Sequence, residues 1–87
     1  MTHIAFIGAG STVFAKNLIG DLLLYPEFAN CTLTLNDIDP ERLATSEIVV
    51  QKVAAATQTQ PKIIATPDRP AALAGANFVI PMFEVGG

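Results

Sequence analysis

The sequence is short, apolar and acidic. It has 87 residues, of which 51% are hydrophobic and 15% are charged, and its formal net charge is −3. A chain of this length folds as one small domain at most, and it buries only about 60–65% of the surface that the unfolded form exposes. The negative charge, with no local basic cluster, argues against nucleic acid as a partner.

Cysteine content and hydropathy indicate the cellular compartment of the protein. Cys31 is the single cysteine; it cannot form an internal disulfide, and we expect it to be a small buried apolar residue. No uninterrupted apolar segment reaches the roughly 18 residues that span a bilayer. The first three residues lack the lysine or arginine of a signal peptide. We therefore expect a cytoplasmic protein with no membrane partner.

Residues 3–8 form an apolar run that predicts the first strand, with His3 solvated at its start. The run leads through Gly8-Ala9-Gly10 into helical spacing, which is how a doubly wound sheet brings backbone N–H groups to a pyrophosphate. Gly8 would supply the tight turn, and Gly10 would let a phosphate come close to the backbone. Val13 replaces the third glycine of the pattern. Taken alone, the pattern is equally compatible with an ordinary strand-to-helix turn.

The first helix is predicted to begin at Ser11, whose hydroxyl suits either an N-cap or a bound anion. Pro26 should end it. Asp21 falls near the packed face and is expected to need a hydrogen-bond partner. Four residues at helical spacing predict the stripe that packs on the sheet, namely Phe14, Leu18, Leu22 and Tyr25.

The second predicted strand, residues 32–35, is followed by two acidic residues with different expected roles. Asp39 precedes Pro40, which is the arrangement of an N-cap followed by proline at the first helical position. Asp37 stands 29 positions after Gly8, at the strand end where a doubly wound fold binds the adenosine ribose with a carboxylate. Neither Ile38 nor Asp39 supplies an arginine for a 2′-phosphate, so NAD is expected rather than NADP.

The rest of the chain continues the alternation of helix and strand. A helix is predicted over residues 40–57, with Ile48 outside the stripe formed by Leu43, Val50, Val53 and Ala54. Residues 62–66 predict a third strand, residues 71–74 a short helix, and residues 77–83 a fourth strand. Pro81 lies inside that last strand and is expected to weaken its pairing.

This order predicts an α/β fold, a Rossmann-like doubly wound parallel sheet with strand order 3-2-1-4. We expect residues 1–87 to be the N-terminal part of a dinucleotide-binding domain, truncated so that the catalytic and metal-binding domain is absent from this chain. The fourth strand would then expose an apolar edge, from which we expect self-association as a homo-oligomer.

Several blocks together resemble the N-terminus of glycoside hydrolase family four, particularly its alpha-galactosidase (melibiase) members. They are FIGAGSTVFAKNLIGD at 6–21, LNDIDPERL at 35–43, ANFV at 76–79 and VGG at 85–87. The resemblance implies a glycosidase that acts on a small-molecule sugar and requires NAD and a divalent metal, usually Mn²⁺. It implies oxidation of the sugar at C3, elimination from C1 and re-reduction, in place of a carboxylate pair.

The resemblance also implies roles for individual residues. The pyrophosphate would be bound by Gly8, Gly10, Ser11 and Thr12, the ribose by Asp37, and the nicotinamide side by a loop that includes Phe83 and Gly86. The family's metal ligands and catalytic base lie beyond Gly87, and neither Cys31 nor His3 matches them. No catalytic or metal-binding residue is therefore assigned within 1–87, and we expect the 87 residues alone to be inactive.

Two other interpretations stay open at this point. One is the cofactor half of a malate- or lactate-type dehydrogenase, and the other is a non-catalytic nucleotide-binding or interaction module. The Gly-Ala-Gly-Ser-Thr block followed by Asp-Ile-Asp-Pro favours the glycosidase. The sugar, its anomeric form and its phosphorylation state are not determined by these residues.

Overall fold

The computed structural model describes residues 2–8 and 12–82, and side chains are described from residue 16 onward in the second range. Strands and helices alternate along the chain. The elements are β1 (His3–Ile7), α1 (Thr12–Leu23), β2 (Thr32–Asn36), α2 (Pro40–Ala56), β3 (Lys62–Thr66), α3 (Arg69–Leu73) and β4 (Phe78–Pro81), with a 3₁₀ turn at Pro26–Phe28 between α1 and β2.

The four strands form one parallel sheet in the order β3-β2-β1-β4. The predicted Rossmann-like α/β fold and strand order are confirmed. The register places Ile7 opposite both Asn36 and Pro81, and it places Asn36 opposite Thr66. All four strands therefore end at the same level, on one side of the sheet.

The hydrophobic core lies between the sheet and the helices α1 and α2. Alternate residues of β1 and β2 supply it from the sheet, as a strand buried on that face requires. The buried cluster consists of Ile4, Phe6, Ile19, Leu23, Cys31, Leu33, Leu35, Leu43, Val50, Ala54 and Met82. Cys31 is 2% exposed, which confirms the expectation of a small buried residue, and burial raises the pKa of its thiol.

The predicted packing stripe of α1 is partly wrong. Ile19 and Leu23 are the fully buried residues, Leu18 and Leu22 are half-buried, and Tyr25 is 57% exposed. The helix ends at Leu23, before Pro26, because short-range turn bonds take over: Leu24 N–H donates to Asp21 O at 3.3 Å and Tyr25 N–H to Leu22 O at 3.1 Å.

Two other predictions for α1 have different outcomes. Asp21 is exposed, so its carboxylate has solvent available and the predicted need for a protein partner is wrong. The side chain of Phe14 lies outside the described residues.

Helix α2 begins as predicted. The Asp39 carboxylate accepts hydrogen bonds from the N–H groups of Glu41 and Arg42 at 3.0 and 3.3 Å, and Pro40 occupies the first helical position. These bonds satisfy N–H groups that have no partner within the helix. The exposure of Ile48, at 52%, confirms that it lies outside the buried stripe.

Helix α3 contacts β1, β2 and β3. Ala5 and Ala72 are fully buried here. The prediction that His3 is simply solvated is wrong, because its Nε2 and Thr34 Oγ1 form a hydrogen bond of 2.6 Å. The helix spans Arg69–Leu73, two residues earlier than predicted at its start, and is followed by Gly75 at φ 75°.

Strand β4 tolerates its proline. Met82 N–H donates to Ile7 O at 2.7 Å, and successive N–H positions in a strand face opposite edges. The nitrogen of Pro81 thus faces away from β1, toward the outer side of β4, where no described strand pairs. Pro81 therefore removes no hydrogen bond between β4 and β1, and the predicted weakening of that pairing is wrong. Residue 83, the predicted end of the strand, lies outside the described residues.

The outer edge of β4 leaves apolar side chains uncovered. Phe78 is 56% and Val79 is 48% exposed. Self-association through this edge stays a prediction. Within the described residues, no helix has both the length and the apolar character needed to cross a membrane.

Candidate functional site

Asn36 joins the ends of three strands at the edge where the loops meet. Its backbone carbonyl accepts a hydrogen bond from Gly8 N–H at 2.8 Å. Its side-chain Nδ2 donates to Thr66 O at 3.0 Å. The residue is 2% exposed. The bond from Nδ2 compensates for the burial of the side-chain amide, and the bond to the carbonyl satisfies the backbone. The ends of β1, β2 and β3 are thereby held side by side.

Gly8 occupies a position that no other residue fills without strain. Its φ is +83°, and a Cβ built on it would lie 2.7 Å from Met82 O. The contact is with backbone, which cannot rotate away as a side chain can. The sequence thus needs glycine here for two independent reasons, and the backbone directly after β1 is left without a covering side chain.

Asp37 follows Asn36 and is buried, with 9% of its surface exposed. Its Oδ1 accepts a hydrogen bond from Asp39 N–H at 2.9 Å. This bond across two residues is the turn that aspartate forms with its own backbone. The carboxylate therefore has a defined orientation, and Asp37 directly follows the end of β2, where the sequence pattern placed it.

A shallow pocket of about 200 Å³ opens at this edge. It is lined by Gly8, Asn36, Asp37, Ile38 and Arg69. The pocket combines bare backbone, a carboxylate, an apolar side chain and a cation within one small surface.

The structure brings Gly8 and Asp37 to one pocket, and their roles in cofactor binding stay predictions. Thr12 is the first residue of α1, and its side chain is not described. The other residues assigned to the cofactor, Gly10, Ser11, Phe83 and Gly86, lie outside the described residues. Their assignments stay predictions.

The sequence analysis missed Arg69, which lines the same pocket as Asp37. The prediction of NAD over NADP rested on the absence of an arginine at positions 38 and 39, the two residues that follow Asp37 in the chain. The available signal was topological: in the order 3-2-1-4, the loop after β3 must lie next to the loop after β2. Asn36 was also missed, because its bridging role depends on the register of β2 and β3.

The described residues contain no group of three or more histidine, cysteine, aspartate or glutamate side chains that could hold a metal ion. This part of the chain therefore does not fit the implied Mn²⁺, and no step is assigned to a metal here.

Comparison with known proteins decides the family. The profile described as "Family 4 glycosyl hydrolase" matches residues 3–87. The chain belongs to glycosyl hydrolase family 4. The predicted resemblance is confirmed, and this family 4 chain carries Gly8 and Asp37 at the loop edge of its sheet.

Named relatives of the family 4 chain agree with this result. The chain is 41% identical over 87 residues to an alpha-galactosidase of Bacillus subtilis (strain 168), covering all of the chain and 20% of that protein. It is 37% identical over 84 residues to an alpha-galactosidase of Rhizobium meliloti (strain 1021), covering 97% and 17%. An alpha-glucosidase of Erwinia rhapontici is 36% identical over 85 residues, covering 98% and 19%. The family 4 chain thus spans about a fifth of the length of these relatives.

The geometry of Gly8 predicts a strong effect of adding one methyl group. The substitution Gly8→Ala should lower the free energy of unfolding by more than about 1–2 kcal/mol, the cost of a left-handed conformation in a residue with a Cβ, because the contact with Met82 O adds to it. Urea unfolding of the variant measures the difference.

A matched control is Gly20→Ala in α1. Its Cβ would meet Val53 Cγ1 at 3.6 Å, an ordinary contact, and alanine favours a helix over glycine by up to about 1 kcal/mol. We expect this variant to be as stable as the original chain or more so. Equal stability of the Gly8→Ala variant would contradict the geometry given for the β1 turn.

Proposed function

We propose that residues 1–87 are the NAD-binding part of a glycosidase that cleaves an α-galactoside or a closely related sugar. The observation that carries the proposal is that a family 4 chain brings Gly8 and the buried Asp37 carboxylate to one pocket at the loop edge of a parallel sheet. In doubly wound folds, ligands bind at the carboxyl ends of the strands.

The pyrophosphate is assigned to the turn after β1. Gly8 leaves its backbone bare, and a Cβ would fill the space between β1 and the end of β4. Gly10, Ser11 and Thr12 follow Gly8 in the sequence, and we propose that they present backbone N–H groups and the start of α1 to an anion. No side chain of the turn needs to carry a charge for this binding.

The adenosine ribose is assigned to Asp37. Its carboxylate is held by Asp39 N–H, and an ionised carboxylate accepts hydrogen bonds from the 2′- and 3′-hydroxyl groups. The same negative charge repels a 2′-phosphate. We therefore propose NAD rather than NADP as the cofactor.

NAD, when bound, supplies the hydride acceptor for oxidation of the sugar at C3. The chain's own part is to bind and orient the dinucleotide, with Phe83 and Gly86 proposed to lie on the nicotinamide side. The divalent metal, Mn²⁺, and the base are proposed to be held by residues that follow residue 87, as the family resemblance implies.

The sugar class is supported by the relatives. Two are named alpha-galactosidase and one alpha-glucosidase, so an α-linked hexoside is the proposed substrate. Family membership favours this function over the dehydrogenase alternative. A cytoplasmic location is supported by the single cysteine, and a homo-oligomer by the exposed edge of β4.

The ribose assignment predicts the effect of removing one carboxylate. In the full-length protein, Asp37→Ala should weaken NAD binding by about 1–3 kcal/mol, because hydrogen bonds to a charged group are lost. Isothermal titration measures the dissociation constants. Asp21→Ala removes an exposed carboxylate on α1 and should leave NAD binding unchanged. Equal affinity of the Asp37→Ala variant and the original protein would remove Asp37 from the site.

The activity of the whole protein gives a second test. After treatment with chelator and charcoal, we expect nitrophenyl α-galactoside turnover only when both NAD and Mn²⁺ are restored. Residues 1–87 alone should hydrolyse no glycoside. Undiminished turnover after the treatment would refute the NAD- and metal-dependent function, and oxidation of lactate or malate would instead support a dehydrogenase.

A further inference from the structure

Helix α2 has a stripe of exposed residues on the side opposite its buried one. The buried residues of the helix are Leu43, Ser46, Val50 and Ala54. The exposed stripe recurs at intervals of three or four residues, which places its members on one side of a helix. We call it the outer stripe of α2. Its members are Glu41, Thr45, Ile48, Lys52 and Ala55.

The outer stripe has opposite charges at its two ends and an apolar residue between them. Glu41 lies in the first turn, and Lys52 stands 11 positions later, which is about 16 Å along a helix. Between them, Ile48 is 52% exposed. Neither charged residue has an opposite charge three or four positions away, where a partner on the same helix would stand. Both charges are therefore available to another surface.

An apolar groove adjoins the outer stripe on the side of α1. It has a volume of about 330 Å³, and its apolar lining comes from Val49, Val53 and Ala56. Lys16 of α1 and Lys52 of α2 also line it, so Lys52 belongs to both the stripe and the groove. A single exposed isoleucine needs no explanation, but a contiguous apolar surface bordered by charges is typical of an interaction site.

Two copies of α2 complement each other when they run in opposite directions. In a twofold contact, residue i faces residue j of the second copy, and residue j faces residue i. If Glu41 faces Lys52 of the second copy, Lys52 faces Glu41 of that copy, and by the same count Thr45 faces Ile48. A parallel arrangement would instead place like charges opposite each other, which is unfavourable.

We propose that the outer stripe of α2 is a homodimer interface, in which α2 packs antiparallel against α2 of a second copy of the same chain. The inference rests on the proposed homo-oligomer and does not depend on NAD. Ile48 and the groove supply the apolar contact at the centre. The two Glu41–Lys52 pairs set the direction and register of the helices. This interface is separate from the exposed edge of β4.

Charge reversal in the full-length protein tests the pairing. Glu41→Lys and Lys52→Glu each turn two attractive pairs into two repulsive ones, and each should raise the dissociation constant of the dimer by about 4- to 100-fold. The double variant restores both pairs with their signs exchanged, so its dissociation constant should return close to the original. Sedimentation velocity over a series of protein concentrations measures these constants.

The double variant also controls for helix stability. It carries both single changes, including their unfavourable positions relative to the helix dipole, so recovery of the dimer can come only from pairing between copies. Lys62→Glu and Glu27→Lys make the same charge changes at exposed positions outside α2 and should leave the constant unchanged. Ile48→Asp should raise it by at least about 10-fold, because an unpaired charge would be buried at the centre. Circular dichroism checks that each variant is folded.

The contrary results separate this interface from the homo-oligomer itself. If both single reversals and Ile48→Asp keep the original dissociation constant, the α2 interface is overturned while the homo-oligomer stands. If both single reversals weaken the dimer and the double variant does not recover, the antiparallel pairing is overturned. If the original protein is a monomer throughout the concentration series, the interface and the homo-oligomer both fail, and the proposed NAD-binding function is unaffected.

Discussion

The buried amide of Asn36 is the constraint on which the site depends. An unpaired amide in this position would lose its hydrogen bonds to water without replacement. The side-chain amide avoids that loss because its Nδ2 donates to Thr66 O at the end of β3, while the backbone carbonyl of Asn36 accepts a hydrogen bond from the N–H of Gly8, directly after β1. The parallel register makes the ends of β1, β2 and β3 level. Residues that are distant in sequence, Gly8, Asp37 and Arg69, consequently lie around one pocket.

Two acidic residues in the segment after β2 have different structural roles. Asp39 caps α2, and its own N–H holds the carboxylate of Asp37. A helix start and a proposed ligand contact are thereby built from the same short turn, so the orientation of Asp37 depends on the capping geometry of Asp39. Pro40 at the first helical position fixes the backbone that follows.

Local chemistry explains what could be predicted from the sequence. The bounds of β3, the Asp39 cap and the strand order follow from apolar periodicity, turn residues and the right-handed crossover rule. The errors concern tertiary contacts. His3 on β1 forms a hydrogen bond with Thr34 on β2. The nitrogen of Pro81 faces away from β1, so its missing N–H costs no bond between these strands. Arg69 lines the same pocket as Asp37 because β2 and β3 are neighbours in the sheet. A single sequence shows none of these distances.

Hydrogen exchange of the full-length protein with and without NAD tests the central claim most directly, because it locates binding along the chain. The account predicts slower exchange in peptides that contain Gly8, Asp37 to Asp39, and Asp68 to Arg69, which lie at the loop edge. Peptides at the opposite edge, around Asn30 and Gln60, should be unchanged. Protection that is absent at Asp37 while NAD is bound, or that is confined to the opposite edge, would contradict it.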